Sequence, residues 1–102
     1  MVTLHDLRSE RIGSTKPIAR VIEKGDDFKI LGLAIAKDIA LNEHKTNQIS
    51  KLIVLEGSVE YVEENRSFTL KHYDEFDIPV GIMHALIAKE DSLCLLIQKS
   101  NG

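Results

Sequence analysis

Apolar positions along the chain fall in short groups separated by turn-forming residues, and after residue 17 those groups are rich in β-branched and aromatic side chains. Ile18, Val21 and Ile22 precede Glu23-Lys24-Gly25-Asp26-Asp27, and Phe28 then opens an apolar stretch, through Ala36, too continuous for a half-exposed strand. Beyond Asn47 the pattern sharpens. Residues 49–56 end at Gly57, and Val59-Glu60-Tyr61-Val62 leads through Glu63-Glu64-Asn65-Arg66 into Ser67-Phe68-Thr69-Leu70, a β-hairpin signature. Phe76 and Ile78 precede a turn at Pro79-Val80-Gly81, a further strand is expected over 83–88, and Glu90-Asp91-Ser92 turns into the apolar run Leu93-Cys94-Leu95-Leu96-Ile97. Short strands with a turn about every ten residues, and almost no helical period, predict an antiparallel sandwich or barrel. The rival assignment, a buried helix over 28–55, conflicts with the β-branched content and with Gly25, Gly32 and Gly57.

Residues 1–17 mix charge with Leu4, Leu7 and Ile12 and suit a short helix or an arm that Pro17 would end, leaving 18–102 as a single barrel domain. Strand alternation then assigns faces. If Ser50 points inward, so do Leu52 and Val54, and His84 shares its face with Leu86 and Ala88. The opposite face carries Ile53, Leu55, Ala85 and Ile87 beside Lys51, and apolar groups there need covering by residues 1–17 or by a second subunit.

Composition narrows the function classes. The 102 residues carry 13 basic and 16 acidic side chains for a net charge of -3, which fits one domain with a small core. No lysine or arginine block is present, which argues against nucleic acid. The apolar run over 30–36 stops at Lys37, far short of the ~20 residues that span a bilayer. The first residues lack the basic start and apolar stretch of a signal peptide, and the lone Cys94 cannot form an internal disulfide, so the expected compartment is the cytoplasm. Cys94 itself reads as a small core thiol. The acidic residues Glu60, Glu63, Glu64, Asp74, Glu75 and Asp77 read as solvated hairpin and turn surface, and His5 and His72 as surface residues among charges and turns.

His44 and His84 remain, each beside a turn, and imidazole is both the commonest metal ligand and the commonest general base near neutral pH. Leu41-Asn42-Glu43-His44-Lys45-Thr46, followed by Leu52-Ile53-Val54-Leu55-Glu56-Gly57, resembles the first motif of the cupin superfamily; Tyr73-Asp74 followed by Pro79-Val80-Gly81-Ile82-Met83-His84 resembles the second. The motifs span 38–88, with a fifteen-residue gap, 58–72, similar to the compact microbial form. Position by position, the first motif keeps His44 and Gly57, with Asp38 at its opening glycine, Thr46 at its second histidine and Ser50 at its glutamate. The second keeps Pro79, Gly81 and His84, with Tyr73 at its glycine and Ala88 at its asparagine.

The resemblance implies an all-β, antiparallel double-stranded β-helix (jelly-roll) barrel, a homodimer, and a site in the barrel mouth. In metal-binding cupins three histidines and a glutamate surround iron, manganese, nickel or zinc; here His44 and His84 are what is left of that set. Two imidazoles supply neither the ligand count nor the carboxylate charge of such a site, while Thr46 and Ser50 are poor ligands but good hydrogen-bond partners. The expected function is therefore a metal-poor barrel that binds a small molecule through His44, Thr46, Ser50 and His84. An alternative is a metal-dependent enzyme of isomerase or dioxygenase type, with zinc, nickel, manganese or iron on His44 and His84, the open positions filled by water or substrate or by a further ligand from Asn42, Glu43 or Gln48. A third is a structural or dimerisation role, with both histidines satisfied by Thr46, Ser50 or water.

Overall fold

The computed structural model describes residues 3–100, apart from the side chains of Glu43 and His44. The described residues form one helix, α1 (Leu4–Arg11), and nine strands: β1 (Ile18–Lys24), β2 (Phe28–Ile35), β3 (Ala40–His44), β4 (Ile49–Glu56), β5 (Ser58–Glu63), β6 (Ser67–Lys71), β7 (Glu75–Ile78), β8 (His84–Ala88) and β9 (Ser92–Lys99). They pair antiparallel into a five-stranded sheet, β1-β2-β9-β4-β7, and a four-stranded sheet, β3-β8-β5-β6. From β2 onward the chain changes sheet at every connection except the β5–β6 hairpin, the winding of a jelly roll.

The predicted alternation holds. Ser50, Leu52 and Val54 of β4 and His84, Leu86 and Ala88 of β8 are buried between the sheets, while Lys51, Ile53, Leu55, Ala85 and Ile87 are half-buried on the outer faces. Leu33, Ile35, Val59, Tyr61 and Cys94 complete the centre of the core.

The N-terminal segment contains a helix. Thr3 and Asp6 form a capping box, each side chain accepting from the other's backbone N–H, and Arg8 and Arg11 stand in the last turn, where a helix favours positive charge. Leu7 is fully buried against Ala34 and Leu93, with Leu4, Ile18 and Leu55 around it, so α1 covers part of the outer face of the five-stranded sheet. Gly32 makes the close approach possible: a Cβ there would lie 2.4 Å from Leu7 Cδ1. Arg8 and Arg11 both bond Glu56 at the end of β4. Burial pushes the Glu56 carboxyl up, but bonds from Arg11 and Arg8 outweigh it and hold the group below its ordinary range. Among the described residues no helix is long and apolar enough to cross a membrane.

The four glycine positions of the two motifs have a common physical meaning. Gly57 and Gly81 have φ of +84° and +76°, and Asp38 and Tyr73, which replace the other two glycines, have φ of +70° and +72°. The left-handed corner is thus kept where the glycine is not. At Tyr73 the turn is held by its N–H donating to Val54 O, the Val54 N–H donating to Asp74 O, and the Asp74 carboxylate accepting from Lys71 N–H. A non-glycine residue in this region costs roughly 1–2 kcal/mol, against about 0.5–1 kcal/mol of extra chain entropy for glycine. Tyr73 is 82% exposed and gives up little packing. Tyr73→Gly is therefore expected to leave stability unchanged or raise it by about 1 kcal/mol, read from the urea midpoint.

Candidate functional site

The turn over 79–83 delivers His84 to the first position of β8, pointing between the sheets, where it is 2% exposed. His84 Nδ1 lies 3.0 Å from the Ile82 carbonyl oxygen. A carbonyl oxygen only accepts, so Nδ1 carries a hydrogen and donates to it, which fixes the orientation of the ring. The ring stacks on Tyr61, centroids 5.6 Å apart.

His84 forms part of the wall of a cavity of about 40 Å³. Leu33, Leu41, Ile78, Leu86 and Leu96 give it an apolar lining, and Thr46, Ser50 and Gln98 add uncharged polar groups. The space suits a few water molecules, well below the roughly 300–1,000 Å³ of typical ligand pockets. Aromatic side chains fill the rest of the barrel: Tyr61 sits 4.6 Å from Phe76 and 5.3 Å from Phe68, centroid to centroid.

Of the residues the sequence proposed, the fold brings Thr46, Ser50 and His84 to one cavity. The side chain of His44 lies outside the described residues, as does that of Glu43; the His44 backbone is the direct cross-strand partner of His84. Thr46 Oγ1 accepts from the Gln48 N–H at 3.0 Å, and Ser50 Oγ donates to Gln48 O and accepts from Gln98 Nε2, both at 3.4 Å. In these bonds the two hydroxyls brace the entry to β4.

Glu63 corrects the surface reading of the acidic residues. Val59, Tyr61 and Glu63 alternate on the inner face of β5, and Glu63 is the direct cross-strand partner of His84, with its side chain only 10% exposed. Its carboxylate accepts from Tyr61 Oη at 2.5 Å and from Arg66 Nε and Nη2 at 2.6 and 3.1 Å. The guanidinium of Arg66 in turn covers the rings of Phe68 and Phe76. The Arg66 bond, then that of Tyr61, holds the Glu63 carboxyl below its ordinary range; burial, then Glu63, pushes the Tyr61 hydroxyl up. The missed signal was alternation: once Tyr61 is inward, Glu63 must follow, just as Gln98 follows Cys94 and Leu96. Glu60, Glu75 and Asp77, by contrast, make surface ion pairs with Lys89 and Lys51.

The Glu63 network gives a pH dependence of defined sign. A depressed folded-state pKa means that its stabilisation is fully present above the unfolded carboxylate value of ~4.3 and is lost as the pH falls through the lower folded value. Thermal midpoints of wild type are expected to drop below about pH 4, and Glu63→Gln should show a flatter acid branch. Equal acid slopes would remove Glu63 from the explanation.

The described donors do not fit a divalent transition metal. Glu63 is committed to Arg66 and Tyr61, Thr46 and Ser50 offer hydroxyls, and no three His, Cys, Asp or Glu side chains converge among the described residues. Nor is Cys94 a nucleophile: burial pushes its thiol up to about 12.

No protein-family model and no curated protein matches the chain. Solved structures do. A cupin superfamily protein from Desulfitobacterium hafniense superposes with a TM-score of 0.78 at 16% identity, covering 83% of this chain and 78% of that one. A cupin-2 domain containing protein from Shewanella frigidimarina gives 0.72 at 23% identity, covering 80% and 79%. KdgF from Halomonas sp. gives 0.76 at 19% identity, covering 84% and 82%.

Proposed function

We propose that this chain, which has the cupin fold and the dimensions of a small single-domain cupin, binds a small molecule at the mouth of its barrel without a metal ion. The observation that carries the reading is His84: an imidazole buried at the floor of a largely apolar cavity, oriented by the Ile82 carbonyl, with Ser50, Thr46 and Gln98 beside it. An apolar enclosure with a few convergent polar groups is the usual make-up of a ligand site. Because the aromatic cluster leaves so little space inside, the ligand places only a small polar head against His84 and keeps its body in the mouth.

A thermal-shift screen of small molecules tests this. A compound that raises the midpoint of the wild type should lose its effect in His84→Ala and His44→Ala; stabilisation unchanged by both substitutions would sink the proposal.

A metal-dependent enzyme of isomerase or dioxygenase type is the second reading, favoured by the cross-strand pairing of His44 with His84. It predicts close to one equivalent of zinc, nickel, manganese or iron per chain after reconstitution of untagged protein, where the metal-free reading predicts well below one.

The homodimer belongs to the same proposal. Beyond α1 the outer face of the five-stranded sheet carries half-buried Ile30, Ile53, Leu95 and Ile97 in adjacent registers, next to the more exposed Ile49. A second copy on that face is expected to double the mass seen by light scattering, and Ile53→Lys should return it to the monomer; a monomeric wild type overturns it.

A further inference from the structure

We propose a second binding site, in the recess between the β5–β6 turn and the turn over 79–83, whose ligand is an α-amino acid with an apolar side chain. The recess measures about 400 Å³, within the roughly 300–1,000 Å³ of small-molecule pockets. One side carries Glu63, Glu64 and Arg66, the other Pro79, Ile82 and Met83. Among the described residues it shares no lining with the cavity at His84, so it stands apart from the site proposed above.

Arg66 is fixed before any ligand arrives. Its Nε and Nη2 donate to the Glu63 carboxylate at 2.6 and 3.1 Å, and its guanidinium lies over the rings of Phe68 and Phe76, 5.6 Å from each centroid. A guanidinium has five N–H groups, so three remain after those two bonds, and no group among the described residues accepts from them. The side chain is 49% exposed. Its open edge, Nη1 with the second hydrogen of Nη2, is a planar fork of the kind that holds a carboxylate.

Glu64 supplies the opposite charge. The Glu63 N–H donates to Arg66 O at 2.8 Å and closes the turn, with Glu64 and Asn65 at its tip. Glu64 is exposed and has no ion pair among the described residues. A simple anion on the Arg66 fork meets the Glu64 charge beside it, and a simple cation on Glu64 leaves the fork unused. A molecule with carboxylate and ammonium on one carbon satisfies both, the carboxylate on Arg66 and the ammonium on Glu64. Across the recess Ile82 and Met83 are 44% and 46% exposed beside Pro79, an apolar wall against which an aliphatic side chain leaves water.

Leucine and three analogues, titrated into the ¹⁵N-labelled protein, test the site. Leucine is expected to shift the Asn65 and Ile82 amides saturably and to leave the amide of Ser50, in the inner cavity, in place. Isocaproate, which lacks the ammonium, should bind about 5-fold more weakly, the loss of one exposed ion pair. Isoamylamine, without the carboxylate, and glycine, without the aliphatic body, should each bind at least about 10-fold more weakly. A leucine response that is absent, or centred on Ser50, overturns the site; an analogue that binds as tightly as leucine overturns the ligand class. Glu64→Gln, at the exposed tip of the turn, is expected to weaken leucine about 5-fold and to strengthen isocaproate, because the repulsion is gone. Unchanged leucine binding, or equal weakening of the two, overturns the pairing of Glu64 with the ammonium. The thermal-shift comparison at His84 and His44 judges the barrel reading independently.

Discussion

Tyr61→Ala is expected to destabilise the protein by about 3–5 kcal/mol, the range for deleting a large buried aromatic side chain. Tyr61 is fully buried, its ring packs on Phe68, Phe76 and His84, and its hydroxyl is bound by Glu63. Small domains have only about 5–15 kcal/mol in total, so the variant should be close to unfolding at room temperature. Tyr61→Phe separates the two contributions. It keeps the ring contacts and removes one donor from a carboxylate that Arg66 still holds, so a loss of only about 1–2 kcal/mol is expected. Urea denaturation of both variants provides the check; similar losses for the two would mean that the hydroxyl, not the filling of the barrel, is what Tyr61 contributes.

The second large effect lies at Gly57→Ala, with an expected loss of about 2–4 kcal/mol. Gly57 alone connects β4 in one sheet to β5 in the other, at φ +84°. An added Cβ would lie 2.3 Å from the Asp91 carbonyl oxygen and 2.6 Å from Ser92 Oγ. Ser92 is itself fully buried, its hydroxyl bound to the carbonyls of Ser58 and Glu90, so it cannot step aside without breaking the start of β9. Left-handed strain of roughly 1–2 kcal/mol and overpacking of about 1–3 kcal/mol act together here. Gly81→Ala has the strain without the clash and should lose only about 1–2 kcal/mol. A calorimetric or urea comparison of the two alanine variants that gave equal losses would contradict this assignment of the Gly57 corner.

The strands with strict alternation were legible in the sequence. β4 was expected over 49–56 and lies there, and the β5–β6 hairpin and the inward sets of β4 and β8 follow from period two alone. β3 was not legible as a strand: it has Ala40 and Leu41 and then three polar residues, because it is an edge strand that pairs with β8 alone. The helix was only half legible, since two leucines make a weak stripe; Thr3 and Asp6, three residues apart, held the better signal. Of the residues lining the inner cavity, the cupin motifs pointed to Ser50, Thr46 and His84. They did not locate Glu63, whose acidic neighbours suggested solvent, nor Gln98, which lies outside both motifs. The filling of the barrel was also beyond local pattern, because it depends on register: Tyr61 faces Phe68 on one side and Leu86 on the other only once β5 is paired with β6 and β8.

Binding at His84 is tested most directly by a crystal structure of the protein with the compound that gives the largest thermal shift. The expected density is a ligand whose polar head lies within hydrogen-bond distance of the His84 ring, with its body in the mouth beside Thr46 and no anomalous scatterer nearby. A ligand seated elsewhere, or a metal ion on His84, would contradict it.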